Sequence, residues 1–191
     1  MSIKNIFKIP LILIPFILLN GCAESVNTSN VNFGDISFEN SGSVDAQESF
    51  LIGVKSLHNF QFDDARIAFE EAAEIDPTFA LAYWGQAMSN NFPLWARQNT
   101  EDARNALKKF APTYESRLEL AKSEKEKAFM SAAEALVFSS EDKLERDFAY
   151  SDVMANMHAK WPEDHEISIF YALSLEGIMH KKLKFHDPLA I

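Results

Sequence analysis

The chain has 191 residues, 47% of them hydrophobic, enough for one domain with a buried core. It carries 28 acidic against 18 basic residues, a net charge of −10, which speaks against a nucleic-acid partner because a phosphate backbone needs a basic surface. A single cysteine excludes an intrachain disulfide and a thiolate metal cluster.

The N-terminus reads as an address. Lys4 and Lys8 precede Ile9–Leu19, a run of eleven apolar residues interrupted by Pro10 and Pro15. A helix needs ~20 residues to span a bilayer, so a basic start followed by this short run reads as a secretory signal segment. Leu19-Asn20-Gly21-Cys22 follows and resembles a bacterial lipobox. That resemblance implies cleavage before Cys22, lipidation of its thiol and acylation of its new amino group. Two or more acyl chains anchor a protein stably. Ala23, in place of Asp, then implies sorting to the outer membrane, on the periplasmic face of the cell envelope. The competing reading is an ordinary signal peptide with a chance cysteine. Residues 22–46 follow as the lipidated cysteine and a flexible tether, polar and without periodicity. Phe33, Ile36 and Phe38 are its candidates for transient docking or a short strand.

From Gln47 onward Ala, Leu, Glu and Lys abound while Gly and Pro are scarce, so residues 47–191 are expected to be helical. Helix one is expected over Gln47–Asn59, with Phe50, Leu51, Val54, Leu57 and His58 as its apolar stripe. Helix two is expected from Phe62–Asp63 to Ile75, with Asp63 and Asp64 at its positive end. Ala65, Ala68, Phe69, Ala72 and Ala73 face helix one, and Asp76-Pro77 closes the hairpin. Helix three, Thr78–Asn91, carries Leu81, Trp84, Gly85 and Met88 until Pro93 breaks the pattern. Thr100 is expected to cap the next helix, with Ala103, Ala106, Leu107 and Phe110 inward. Ser123-x-x-Glu126 has the form of a capping box before a helix running to Phe138. The helix after Ser139–Asp142 is expected to turn Leu144, Phe148, Val153, Met154 and Met157 inward. A last helix, His165–His180, should present Phe170, Tyr171, Ala172 and Leu175.

Gly53, Ala65, Phe69, Ala72 and Pro77 are spaced 12, 4, 3 and 5 residues apart, and Phe50 and Trp84 lie 34 apart, as do Gly53 and Ala87. A period near 34, with small residues where helices touch, resembles the tetratricopeptide repeat family. The resemblance implies an all-α, short right-handed solenoid of antiparallel helical hairpins. Met154, Met157 and Pro162 repeat the last two gaps. Tyr150, however, stands where Ala65 stood, and Pro77 to Pro162 is not a whole number of periods. In this family the first helix of each hairpin lines a groove that holds peptides. Carried onto this chain, that implies a groove of Phe50, Val54, Leu57 and His58 with Leu81, Trp84, Met88 and Asn91. Phe50 and Val54 read better as core, whereas Trp84, Met88 and Asn91 read equally as groove or core. The stretch YWGQAMSNNFPLW also looks like bacterial repeat proteins of greater length, and the last helix has no downstream partner. The chain therefore reads as the front part of a longer array.

Little in the sequence points to chemistry. Glycine-rich phosphate loops, nucleophile elbows, paired-histidine zinc motifs and Cys-x-x-Cys are all missing. No two of the histidines (His58, His158, His165, His180 and His186) lie four apart on one helix. The expectation is a lipid-anchored scaffold that binds a protein or peptide, non-enzymatic and without cofactor or metal. The alternative is an envelope enzyme or metal-binding accessory protein using His158, His165 and neighbouring acids, or a site in a missing C-terminal part. Convergence of two histidines with a carboxylate in one pocket would favour it.

Overall fold

The computed structural model describes residues 34–185, with side chains to Met179. The fold is all-α, with eight α-helices and one very short β-hairpin among the described residues. The helices are α1 (Gln47–His58), α2 (Phe62–Ile75), α3 (Ala80–Met88), α4 (Thr100–Phe110), α5 (Tyr114–Leu120), α6 (Glu124–Phe138), α7 (Lys143–Lys160) and α8 (His165–Phe185). Between α3 and α4, β1 (Asn91–Phe92) pairs antiparallel with β2 (Arg97–Gln98) across a 3-10 turn at Pro93–Trp95. Consecutive helices pack as neighbours in α1–α2, α2–α3, α3–α4, α6–α7 and α7–α8. α6 also lies on α3, and α8 on the Pro93–Trp95 turn.

Phe69 is the centre of the first three helices. Its ring is wholly buried against Phe50, at 5.7 Å between centroids, and Trp84, at 6.4 Å. A Cβ placed on Gly53 would come within 2.8 Å of that ring, and one on Gly85 within 2.4 Å. The missing side chains are what let α1 and α3 close on either side of α2. Phe50 and Trp84, 34 residues apart, share a second neighbour as well, since both rings touch Phe38.

That contact corrects the expected tether from Gly34 onward. Phe38 is buried between Phe50, Trp84 and Phe129, at 5.4, 5.7 and 5.1 Å. Several polar groups around it are tied to the folded domain. Asn40 and Gln47 exchange two side-chain hydrogen bonds, of 2.7 and 2.9 Å, and the Ser41 N–H donates to Glu126 at 2.8 Å. Glu39 pairs with Lys125 at 2.7 Å. One aromatic ring and a buried acceptor suffice to fix a segment whose average composition is that of a linker.

Helix ends follow their side chains. Asp76 Oδ1 accepts from the Thr78 N–H (3.0 Å) and hydroxyl (2.7 Å), which keeps Thr78 out of α3 and delays its start to Ala80. Ser89 and Asn90 donate back to the carbonyls of Gly85 and Gln86, and α3 stops at Met88. Asn99, not Thr100, is the N-cap residue of α4. The Thr100 hydroxyl is spent on Gln98 and Arg146. The Ser123–Glu126 capping box is present, and Thr113–Ser116 forms another. Asp142 caps α7 by accepting from the N–H groups of Leu144 and Glu145.

Two faces differ from expectation. Phe148 is 40% exposed, and its place inside is taken by Arg146 and Tyr150. Arg146 donates to the carbonyls of Leu136, Ser140 and Glu141 and to the side chains of Gln98 and Thr100, tying the end of α6 to β2. In α8 the buried stripe is Ile167, Phe170, Ser174 and Ile178. Ala172 and Leu175 face outward because Phe170 packs on Trp84 at 5.1 Å, which sets the rotation of the helix.

Candidate functional site: an apolar cleft beside an exposed aromatic cluster

The site begins with the way α1 ends. The Gln61 N–H donates to the Ser56 carbonyl at 2.9 Å and the Phe60 N–H to the Leu57 carbonyl at 3.0 Å, the double bond of a Schellman cap. The left-handed position of that cap, normally glycine, is Phe60 at φ 58°. A Cβ in this region costs roughly 1–2 kcal/mol. Ala96 makes a second left-handed turn, at φ 50°, after Pro93–Trp95. Between them these two turns present a cluster of rings. Phe60 lies 6.1 Å from Trp95 and 6.2 Å from Phe62, and Phe62 lies 4.6 Å from Phe92 and 6.1 Å from Trp95. Trp95 is 60% exposed and Phe60 37%. Asp63, Asp64 and Arg97 rim the depression, with the Arg97 guanidinium 4.6 Å above the Phe92 ring.

Behind Phe60 and Phe62 the surface continues into a cleft between α1, α3, α6, α7 and α8. Its apolar wall is Leu57, Met88, Leu136, Phe170 and Leu173. The cleft is narrow, with a cavity volume of about 30 Å³. Asn91, Tyr150, Ser174 and the Lys143–Asp147 ion pair (2.7 Å) supply its polar groups. The Ser174 hydroxyl is satisfied by Ser151 and the Tyr171 carbonyl. Asn91 Oδ1 is buried with no hydrogen-bond partner. Burial pushes the Tyr150 phenol well above its ordinary range, so the hydroxyl stays protonated.

The expected groove divides into three groups. Leu81 and Trp84 are fully buried: Trp84 is ringed by Phe38, Phe69, Phe129 and Phe170, and neither side chain can meet a ligand. The face of α1 and α3 that was to hold a peptide is covered by the protein's own Phe38 segment, α6 and α8. Leu57, Met88 and Asn91 are brought together at the cleft. His58 is tied to Glu166 at 2.7 Å and lies over Phe170, linking α1 to α8. Cys22 lies outside the described residues. His158 meets the Ser168 hydroxyl and stacks on Tyr171, while His165 is exposed. No group of three His, Cys, Asp or Glu side chains able to hold a metal occurs among the described residues.

Phe60, Trp95 and Tyr150 join the candidate site beyond the sequence expectation, and each leaves a trace in the sequence. Phe60 occupies the position after a helix end where glycine is usual, Trp95 follows the break at Pro93, and Tyr150 replaces the small residue the repeat spacing called for. Comparison with protein-family models, curated proteins and solved structures found no match.

Proposed function

We propose that this chain is a lipid-anchored binding module of the bacterial cell envelope that holds a protein or peptide partner through the aromatic cluster Phe60, Phe62, Phe92 and Trp95. The observation that carries the reading is Phe60. A bulky ring is kept in a backbone conformation where glycine would be easier, and the residue remains 37% exposed. Such local cost is typical of sites under functional constraint. Exposed tryptophan and phenylalanine beside a cleft are the usual anchors of protein interfaces.

The tetratricopeptide-like reading of the scaffold draws support from the α1–α2 hairpin, from the shared neighbours of Phe50 and Trp84, and from Phe69 between Gly53 and Gly85. Anchoring rests on the lipobox-like Leu19–Cys22. None of the described helices is long and apolar enough to cross a membrane.

A photo-crosslinking amino acid at position 95, in cells making the full chain, tests the proposal. The reading expects a discrete adduct that is missing with the crosslinker at the exposed position 44, and release of the protein to the soluble fraction by Cys22→Ser. Equal labelling from both positions would contradict the aromatic surface, and unchanged membrane association of Cys22→Ser would contradict the anchor.

A further inference from the structure

We infer that the cleft behind the aromatic cluster receives one aliphatic side chain of the partner peptide and holds the amide group beside it between Asn91 and Tyr150. The inference rests on the peptide-binding reading above. The wall of Leu57, Met88, Leu136, Phe170 and Leu173 favours an apolar group, and the narrowness of the space suits a branched aliphatic chain better than a fused ring. Asn91 Oδ1 is a buried acceptor without a partner, a condition native interiors seldom tolerate without a reason. The Tyr150 hydroxyl makes no hydrogen bond among the described residues, and burial keeps it a donor. One acceptor and one donor against an apolar wall match the N–H and C=O of an amide. At the rim Lys143 and Asp147 pair with each other at 2.7 Å. Asn91 and Tyr150 come from β1 and α7, so the pair exists only in the folded chain.

The probe is N-acetyl-leucine methylamide, titrated into the purified full chain in lipid nanodiscs. The Met88 methyl resonance is the reporter, and N-acetyl-glycine methylamide is the comparison. The expected result is a saturable Met88 shift with the leucine probe, at least about tenfold weaker with the glycine probe. Asn91→Leu removes the stranded acceptor. It should weaken the probe at least about tenfold while leaving the unfolding midpoint unchanged or higher, which a structural role for Asn91 would not produce. Tyr150→Phe should weaken it similarly. No saturable shift with wild type, or undiminished binding by Tyr150→Phe, overturns the inference, as does an Asn91→Leu protein that binds normally but is less stable. If the probe fails while the position-95 adduct persists, the cleft inference falls and the peptide-binding reading stands. If the probe binds as expected and the adduct is absent, the cleft stands and the aromatic surface falls.

Discussion

The carboxylate of Glu126 joins two parts of the chain 85 residues apart. One oxygen accepts the Ser41 N–H at 2.8 Å, and the other accepts the N–H groups of Lys122 and Ser123 at 2.9 and 3.1 Å. The residue is fully buried, so α6's capping box and the docking of the Phe38 segment depend on one side chain. Glu126→Gln keeps the shape but offers an NH2 group to backbone donors. It should cost roughly 2–3 kcal/mol, read as a lower urea midpoint, and should raise hydrogen exchange at Ser41.

The approach of α1 and α3 to Phe69 gives a second expectation. Gly85→Ala places a methyl 2.4 Å from that ring and should destabilise by about 1–3 kcal/mol. Pairing it with Phe69→Leu should recover part of the loss. A double-mutant cycle by chemical denaturation reads the coupling, and strict additivity would count against this packing.

Acid stability follows from Asp164. Burial alone would raise its pKa. The Lys125 ammonium at 2.8 Å and the Ile167 N–H at 3.1 Å outweigh burial and hold the carboxyl below its ordinary range. Asp76 is lowered in the same way, burial being outweighed by Thr78 and Ser43. A folded pKa below the unfolded one gives stability that is complete above the unfolded value of about 3.9 and lost as pH falls through the folded value. The protein should therefore lose stability below about pH 4. Asp164→Asn should lose about 1 kcal/mol at neutral pH and show a shallower acid limb in pH-dependent denaturation.

How far the sequence disclosed this structure depends on whether neighbours near in the chain or distant ones decide each feature. Periodicity and small-residue spacing carried the helices and the close approach at Gly53, because adjacent elements dictate them, whereas the matching glycine on α3 is Gly85, two residues before the Ala87 that the 34-residue period picks out. The Ser123–Glu126 box was legible for the same reason. Phe38 was not, because its pocket is assembled from α1, α3 and α6. The family's groove geometry places Leu81 in the groove and leaves Trp84 equally groove or core, because the segments that cover that face, α6, α8 and the Phe38 segment, are distant in the chain. Trp84→Ala should accordingly act as a core truncation, costing about 3–5 kcal/mol by calorimetry or denaturant titration, and so cannot serve as a binding variant. The aromatic cluster depends on two left-handed residues, Phe60 and Ala96, which no hydrophobic pattern announces.

The most direct measurement compares wild type with Phe60→Gly, first for stability and then for affinity toward the partner captured at position 95. Glycine relieves the left-handed strain and removes the ring. The account predicts a protein at least as stable as wild type, by up to about 1 kcal/mol, whose affinity falls at least about tenfold. Unchanged affinity with gained stability would show that Phe60 is an ordinary surface residue and would contradict the account.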